Sequence, residues 1–190
     1  MRRRTLAFGL AATVVLVAGL QAAQSGMTAK AEIKGDKISG TAQFREVDAQ
    51  KAGAHDMKFM TGMKAVEITV KVSGLAPGPH GLHLHAVGRC EAPFTSAGGH
   101  FDPGPGGQTD PDVNHPYHMG DLPNLVADAK GEATLTAITT RVTLSPGPLS
   151  LFDNDGTAVI VHGNPDQGQS GEAKSGVSGG PRVACGVVQK

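Results

Sequence analysis

Ala65-Val66-Glu67-Ile68-Thr69-Val70-Lys71-Val72 alternates apolar and polar side chains without a break. Successive side chains of a strand point to opposite faces, so Val66, Ile68, Val70 and Val72 share one face and Glu67, Thr69 and Lys71 the other. This period of two, rather than 3.6, is the strongest pattern in the chain and defines a half-buried strand. Upstream, Ile33 and Ile38 flank Gly35-Asp36, a hairpin signal. Downstream, 132–139, 157–162 and 182–188 read as further short strands. Gly74 to Gly78, Asn154 to Gly156 and Asn164 to Gly180 read as turn or loop material. No stretch carries a long amphipathic helix. Many short strands between turn signals predict an all-β sandwich or barrel.

Two connections are too long for turns, Arg89 to Asp121 and Gly163 to Gly180. Loops of that length in a compact domain usually carry function, and the first is rich in histidine and aspartate. At the N-terminus, Arg2, Arg3 and Arg4 precede an uncharged apolar run from Leu6 to Leu20, with small residues around Ala22, Ala23 and Ser25. This is the layout of a secretory signal peptide, and the run is short for a membrane span. Residues 1–25 are therefore expected to be a leader and 26–190 one domain. The product would be periplasmic or secreted, with no membrane in the mature form. An uncleaved N-terminal anchor is the alternative. Zero formal net charge and only six Phe, one Tyr and no Trp argue against a nucleic-acid partner. In an exported chain, Cys90 and Cys185 read as one structural disulfide closing a long loop.

His83 and His85 stand two apart, so in a strand they project from one face while Leu82 and Leu84 point to the core. Alone, such a pair is as readily a surface feature. His100 follows Ala97-Gly98-Gly99, where glycines let backbone bend close to an ion. His115, His118 and Asp121 form an H-x2-H-x2-D run able to surround one cation. His162 ends the apolar run Ala158 to Val161. Imidazole-rich sites without thiolate suit copper, zinc, iron or nickel, and added carboxylate leans toward zinc. Two clusters sharing one loop suggest a copper–zinc pair.

These residues resemble a known family. Gly81-Leu82-His83-Leu84-His85, Thr95-Ser96-Ala97-Gly98-Gly99-His100-Phe101-Asp102-Pro103, Met119-Gly120-Asp121-Leu122-Pro123-Asn124 and Gly180-Pro181-Arg182-Val183-Ala184-Cys185-Gly186 are similar to the successive motifs of the copper/zinc superoxide dismutases. The resemblance spans roughly residues 64–190. It implies an eight-stranded Greek-key β-barrel of immunoglobulin-like sandwich architecture, with two long functional loops. It also implies dismutation of superoxide by copper redox cycling. By position, it makes His83, His85, His100 and His162 copper ligands, with His100 bridging to zinc and carrying a proton. It makes His118 and Asp121 zinc ligands, and Asp166 a link between ligands of the two metals. His80 becomes a structural support, Arg182 the contact for the anionic substrate, and Cys90–Cys185 the family disulfide. Superoxide is the small-anion partner, and a homodimer stays open.

One departure stands out. The family's remaining zinc histidine belongs near Gln108 or Thr109, and none is there. His115 is the expected substitute, with a copper-only site as the alternative. Lys174 receives little weight as a steering charge because Glu172 and Asp166 lie close in sequence. Met57, Met60 and Met63 beside His55 could offer soft thioethers to Cu(I), but ordinary packing methionines in a short insertion are preferred. Two rival functions are a copper-buffering protein and a purely structural β-domain. The first predicts damage to His100, Asp166 or Arg182, and the second predicts lost histidines. All are intact.

Overall fold

The computed structural model describes residues 26–52, 62–104 and 110–190. The leader region, Met57, Met60, Gln108 and Thr109 lie outside these. Among the described residues nine strands run β1 Thr28–Gly35, β2 Ser39–Asp48, β3 Lys64–Ser73, β4 Gly78–His80, β5 Leu82–His85, β6 Leu125–Ala127, β7 Ala133–Thr139, β8 Ala158–His162 and β9 Arg182–Val187. They form one sheet in the order β4-β6-β7-β3-β2-β1-β9-β8-β5, every pairing antiparallel. Its two end strands, β4 and β5, are consecutive in the chain, so the sheet curls into a nearly closed barrel whose seam is a single residue, Gly81. The neighbours β7-β3 and β1-β9 are distant in sequence, which is the Greek-key crossing.

The strand count differs from the expected eight. The run leading into His85 breaks at Gly81, whose N–H donates to Asn164 O at 2.9 Å while its carbonyl accepts from His162 N at 2.8 Å. The chain thereby leaves β6, the partner of β4, and joins β8, the partner of β5. One stretch becomes two strands.

The alternation in β3 is realised as burial. Val66, Ile68, Val70 and Val72 enter the core with Phe44, Leu82, Leu84, Leu125 and Val159. Each such side chain contributes about 1.5–3 kcal/mol by leaving water, and Ile68→Ala would cost about 2–5 kcal/mol. Gly35-Asp36 makes the β1–β2 hairpin turn, with Gly35 N donating to Ile38 O at 2.9 Å. By contrast, β5 and β8 are buried at every position, because the barrel covers one face and the long loops cover the other. Glu46, also buried, accepts from Leu144 N at 2.7 Å, Ser145 N at 2.8 Å and Ser145 Oγ at 3.0 Å, fastening the loop after β7 to β2.

Candidate metal centre

The first long loop lies down along β5. Leu84 N donates to Gly120 O at 2.9 Å, Phe101 N to Leu84 O at 2.8 Å and Ala86 N to Gly99 O at 3.0 Å. Isolated bridges therefore set His100 opposite His85 and Asp121 opposite His83. A Cβ on Gly120 would sit 2.3 Å from Leu84 O, so only glycine permits this approach.

His83, His85, His100 and His162 come together with one ring nitrogen each, all within 4.8 Å of one another. In every ring one nitrogen is engaged. His83 Nε2 meets Asp166 Oδ2 at 3.0 Å, His85 Nδ1 meets Gly98 O at 3.0 Å, His100 Nδ1 meets Asp121 Oδ1 at 2.6 Å, and His162 Nδ1 meets Gly180 O at 3.0 Å. The other nitrogen (Nδ1 of His83, Nε2 of His85, His100 and His162) is buried without a hydrogen-bond partner. A buried polar atom left unpaired costs about 1–3 kcal/mol. Four converging ones form a donor set that fits a metal.

A second set gathers around Asp121. Besides His100, the Nδ1 atoms of His115 and His118 each stand 3.2 Å from Asp121 Oδ2, without hydrogen-bond geometry. By ligand-atom distance alone the second cluster reads His83, His100, His115 and Asp121. His83 Nε2, however, is already held by Asp166, whereas both nitrogens of His118 are free, so His118 is the better fourth donor. His115 Nε2 meets Asp166 Oδ1 at 2.7 Å, so this one carboxylate spans a ring from each set. His80 turns both nitrogens to carbonyl oxygens, Nδ1 to His162 O and Nε2 to Ala76 O, each at 2.8 Å. It braces the strand ends and leaves no nitrogen free.

A family model described as copper/zinc superoxide dismutase (SODC) matches residues 38–188. The chain belongs to the copper/zinc superoxide dismutase family. It is 36% identical over 157 residues to a superoxide dismutase [Cu-Zn] of Caulobacter vibrioides, covering 80% of this chain and 86% of that one. It is 39% identical over 129 residues to superoxide dismutase [Cu-Zn] 1 of Aquifex aeolicus, covering 65% and 73%. Among solved structures, a double mutant of a SOD-like protein from Bacillus subtilis aligns with TM-score 0.63 and 26% identity, covering 83% and 95%. The clock protein EA4 aligns with TM-score 0.62 and 27% identity, covering 86% and 94%.

The family's disulfide is present, joining Cys90 at the head of the first loop to Cys185 on β9, 95 residues apart with Cα atoms 5.6 Å apart. Constraining a loop that long stabilises by about 4–5 kcal/mol in the chain-entropy account. Beside it, Arg182 donates to Phe94 O at 2.7 Å and to Gly98 O at 2.6 Å. Its guanidinium lines a cleft of about 670 Å³ with Gly98, Asp112, Lys174, Ser178 and Gly180. Gly98 and Gly180 are the residues whose carbonyls hold the rings of His85 and His162, so the cleft ends against the first cluster. Lys174, given little weight from sequence, stands on its wall.

Burial first, then the neighbouring charges, lowers the pKa of His85 and His162 well below 6.5, with Arg182 among those charges in both cases. Burial, aided by His83, brings His100 down to about 3. These rings are held neutral, the form that binds metal. His115 differs. Burial would lower it, but the neighbouring carboxylates of Asp121 and Asp166 push it up to about 9. Both aspartates are held well below the ordinary carboxylate range by their histidines despite burial.

Three supporting residues escaped the sequence reading. Asn124 donates from Nδ2 to Asp166 O at 2.8 Å and accepts from Asp166 N at 2.9 Å, clamping the backbone of the spanning aspartate. Ser170 Oγ donates to His115 O at 2.6 Å. Asp112 is buried against the second loop. Asn124 stood in a matched motif, and that was its only signal. Ser170 and Asp112 sit in loop sequence with no periodicity to mark them.

Proposed function

We propose that the chain is an exported superoxide dismutase that holds copper with His83, His85, His100 and His162, and zinc with His100, His115, His118 and Asp121. The observation that carries this is the set of buried ring nitrogens left without partners while the opposite nitrogen of each copper-side ring is tied down. Copper supplies the one-electron oxidation and one-electron reduction that turn two superoxide ions and two protons into dioxygen and hydrogen peroxide. The protein supplies the rest. Arg182, fixed by two carbonyls, attracts the anion and presents N–H groups to it. Lys174 adds to the positive field at the mouth, and such focusing raises on-rates by about 10–10³. His100, a ligand to both metals in this reading, would carry the proton, with Asp121 beside it to fix the ring plane. Asp166 holds His83 and His115 in the tautomers that leave their Nδ1 atoms free.

Residues 1–25 act as the signal peptide, which places the domain 26–190 in the periplasm or outside the cell. The charge pattern of the leader and the disulfide both support this. Sedimentation of the mature domain separates monomer from homodimer. The functional test is direct. Copper-loaded protein is expected to dismute superoxide faster than equal copper bound to an unrelated protein, and His162→Ala to lose most of that activity while keeping the barrel. Equal rates in the first comparison would end the dismutase reading.

A further inference from the structure

Asp112 is 2% exposed and belongs to neither histidine cluster. Its Oδ2 accepts from Gly176 N at 2.7 Å, and its Oδ1 accepts from Ser178 N at 3.0 Å and Ser178 Oγ at 2.7 Å. Its carbonyl takes Gly171 N at 2.9 Å, and Asp110 Oδ1 takes Lys174 N at 3.3 Å. Every one of these donors comes from the second long loop. A buried carboxylate with no ion pair among the described residues is kept there by such charge-assisted bonds.

What Asp112 grips is the turn on which His162 leans. Gly179 N donates to Gly176 O at 3.2 Å, closing the turn. A Cβ at Gly179 would lie 2.7 Å from His162 Cβ, so the backbone there presses directly on that side chain. Gly180 O then accepts from His162 Nδ1 at 3.0 Å, which leaves Nε2 free. Asp112, Ser178, Gly180 and Arg182 line the same cleft. The first loop lacks a histidine at 108 and 109 and spends two nearby aspartates on the opposite loop instead.

Resting on the copper reading above, we propose that Asp112 is a positioning residue. It fixes the Gly176–Gly180 turn, and through that turn it orients His162 and sets the anion entrance opposite Arg182.

Asp112→Asn tests this, because it keeps the shape but turns an amide NH2 toward at least one of the three donors. The copper-loaded variant is titrated with azide, a small anion, by its charge-transfer absorbance, and its visible and electron paramagnetic resonance spectra are recorded. Azide affinity is expected to fall about tenfold, the scale of one lost charge-assisted hydrogen bond, and the copper spectra to shift. Glu46→Gln serves as the control for general destabilisation, since it loosens the hold of β2 on Leu144 and Ser145 in the loop after β7; it is expected to lower the melting temperature and leave azide affinity and spectra unchanged. Ser178→Ala removes one donor from the same grip and is expected to shift both readouts in the same direction by less; it decides the matter if Asp112→Asn does not fold. Variants matching wild type in azide affinity and spectra overturn this proposal alone. A wild-type protein that takes up no copper overturns the copper reading, and this inference with it.

Discussion

Asp166 Oδ1 lies 2.7 Å from His115 Nε2, joining residues 51 positions apart. The other oxygen of the same carboxylate meets His83 Nε2 at 3.0 Å. His115 is thus tied to a histidine of the proposed copper set while its Nδ1 faces Asp121. If it fills the family's vacant zinc position, His115→Ala loses zinc and retains copper by metal analysis of the purified protein. Asp166→Ala is expected to cost about 10–100-fold in zinc affinity, as loss of a supporting partner does. Full zinc in His115→Ala would remove this ring from the zinc set, whereas a wild-type protein that takes up copper and no zinc would bear out the copper-only alternative.

Arg182→Ala is expected to slow dismutation by about tenfold or more and to flatten its dependence on ionic strength, because a steering charge acts through screened electrostatics. Arg182→Lys keeps the charge but loses the two-pronged hold on Phe94 O and Gly98 O, so an intermediate rate is expected. Rate measurements across a salt series check both. An unchanged salt slope in the alanine variant would remove Arg182 from substrate capture.

Reduction of Cys90–Cys185 is expected to lower the melting temperature and also to speed copper release. The bond pins the loop that carries Phe94 and Gly98, and Gly98 O holds both Arg182 and His85. Copper transfer to a chelator, with and without reductant, reads the second effect. A release rate indifferent to reduction would confine the disulfide to stability.

The metal-free protein is expected to be most stable near pH 6.5. His83, His85, His100 and His162 have folded pKa values below the ordinary 6.5, with burial the first cause. Below that pH the unfolded chain binds more protons, so stability falls on acidification. His115 is pushed up to about 9, so its contribution is complete below 6.5 and is lost as pH rises through 9. Urea unfolding of chelator-treated protein at pH 4.5, 6.5 and 9 checks both flanks. A monotonic rise from 4.5 to 9 would contradict the part given to His115.

The residues that alternate were the legible ones. Val66 to Val72 showed a strand because one face meets the core and the other meets water. Leu82–His85 and Ala158–His162 gave no such contrast, since loops cover their outer face; the first was read from histidine spacing and motif, the second from an apolar run between turn signals. Leu125–Ala127 went unmarked because three residues hold too little pattern. The histidine and aspartate positions of the candidate site were readable from order along the chain. The grips of Asn124, Ser170 and Asp112 were not, since each links segments dozens of residues apart through a single polar side chain.

The place of β9 between β1 and β8 fixes when the molecule can acquire its metals. Until Arg182–Val187 is made, β8 has an open edge, the barrel cannot close, and Cys90 has no thiol to join. All seven candidate donor residues are synthesised earlier, yet they wait on these strand residues for a rigid wall. Tight metal binding is therefore expected only once Arg182–Val187 has been made and paired with β8. A truncation just before Arg182 would yield a polypeptide carrying every donor and holding neither metal tightly.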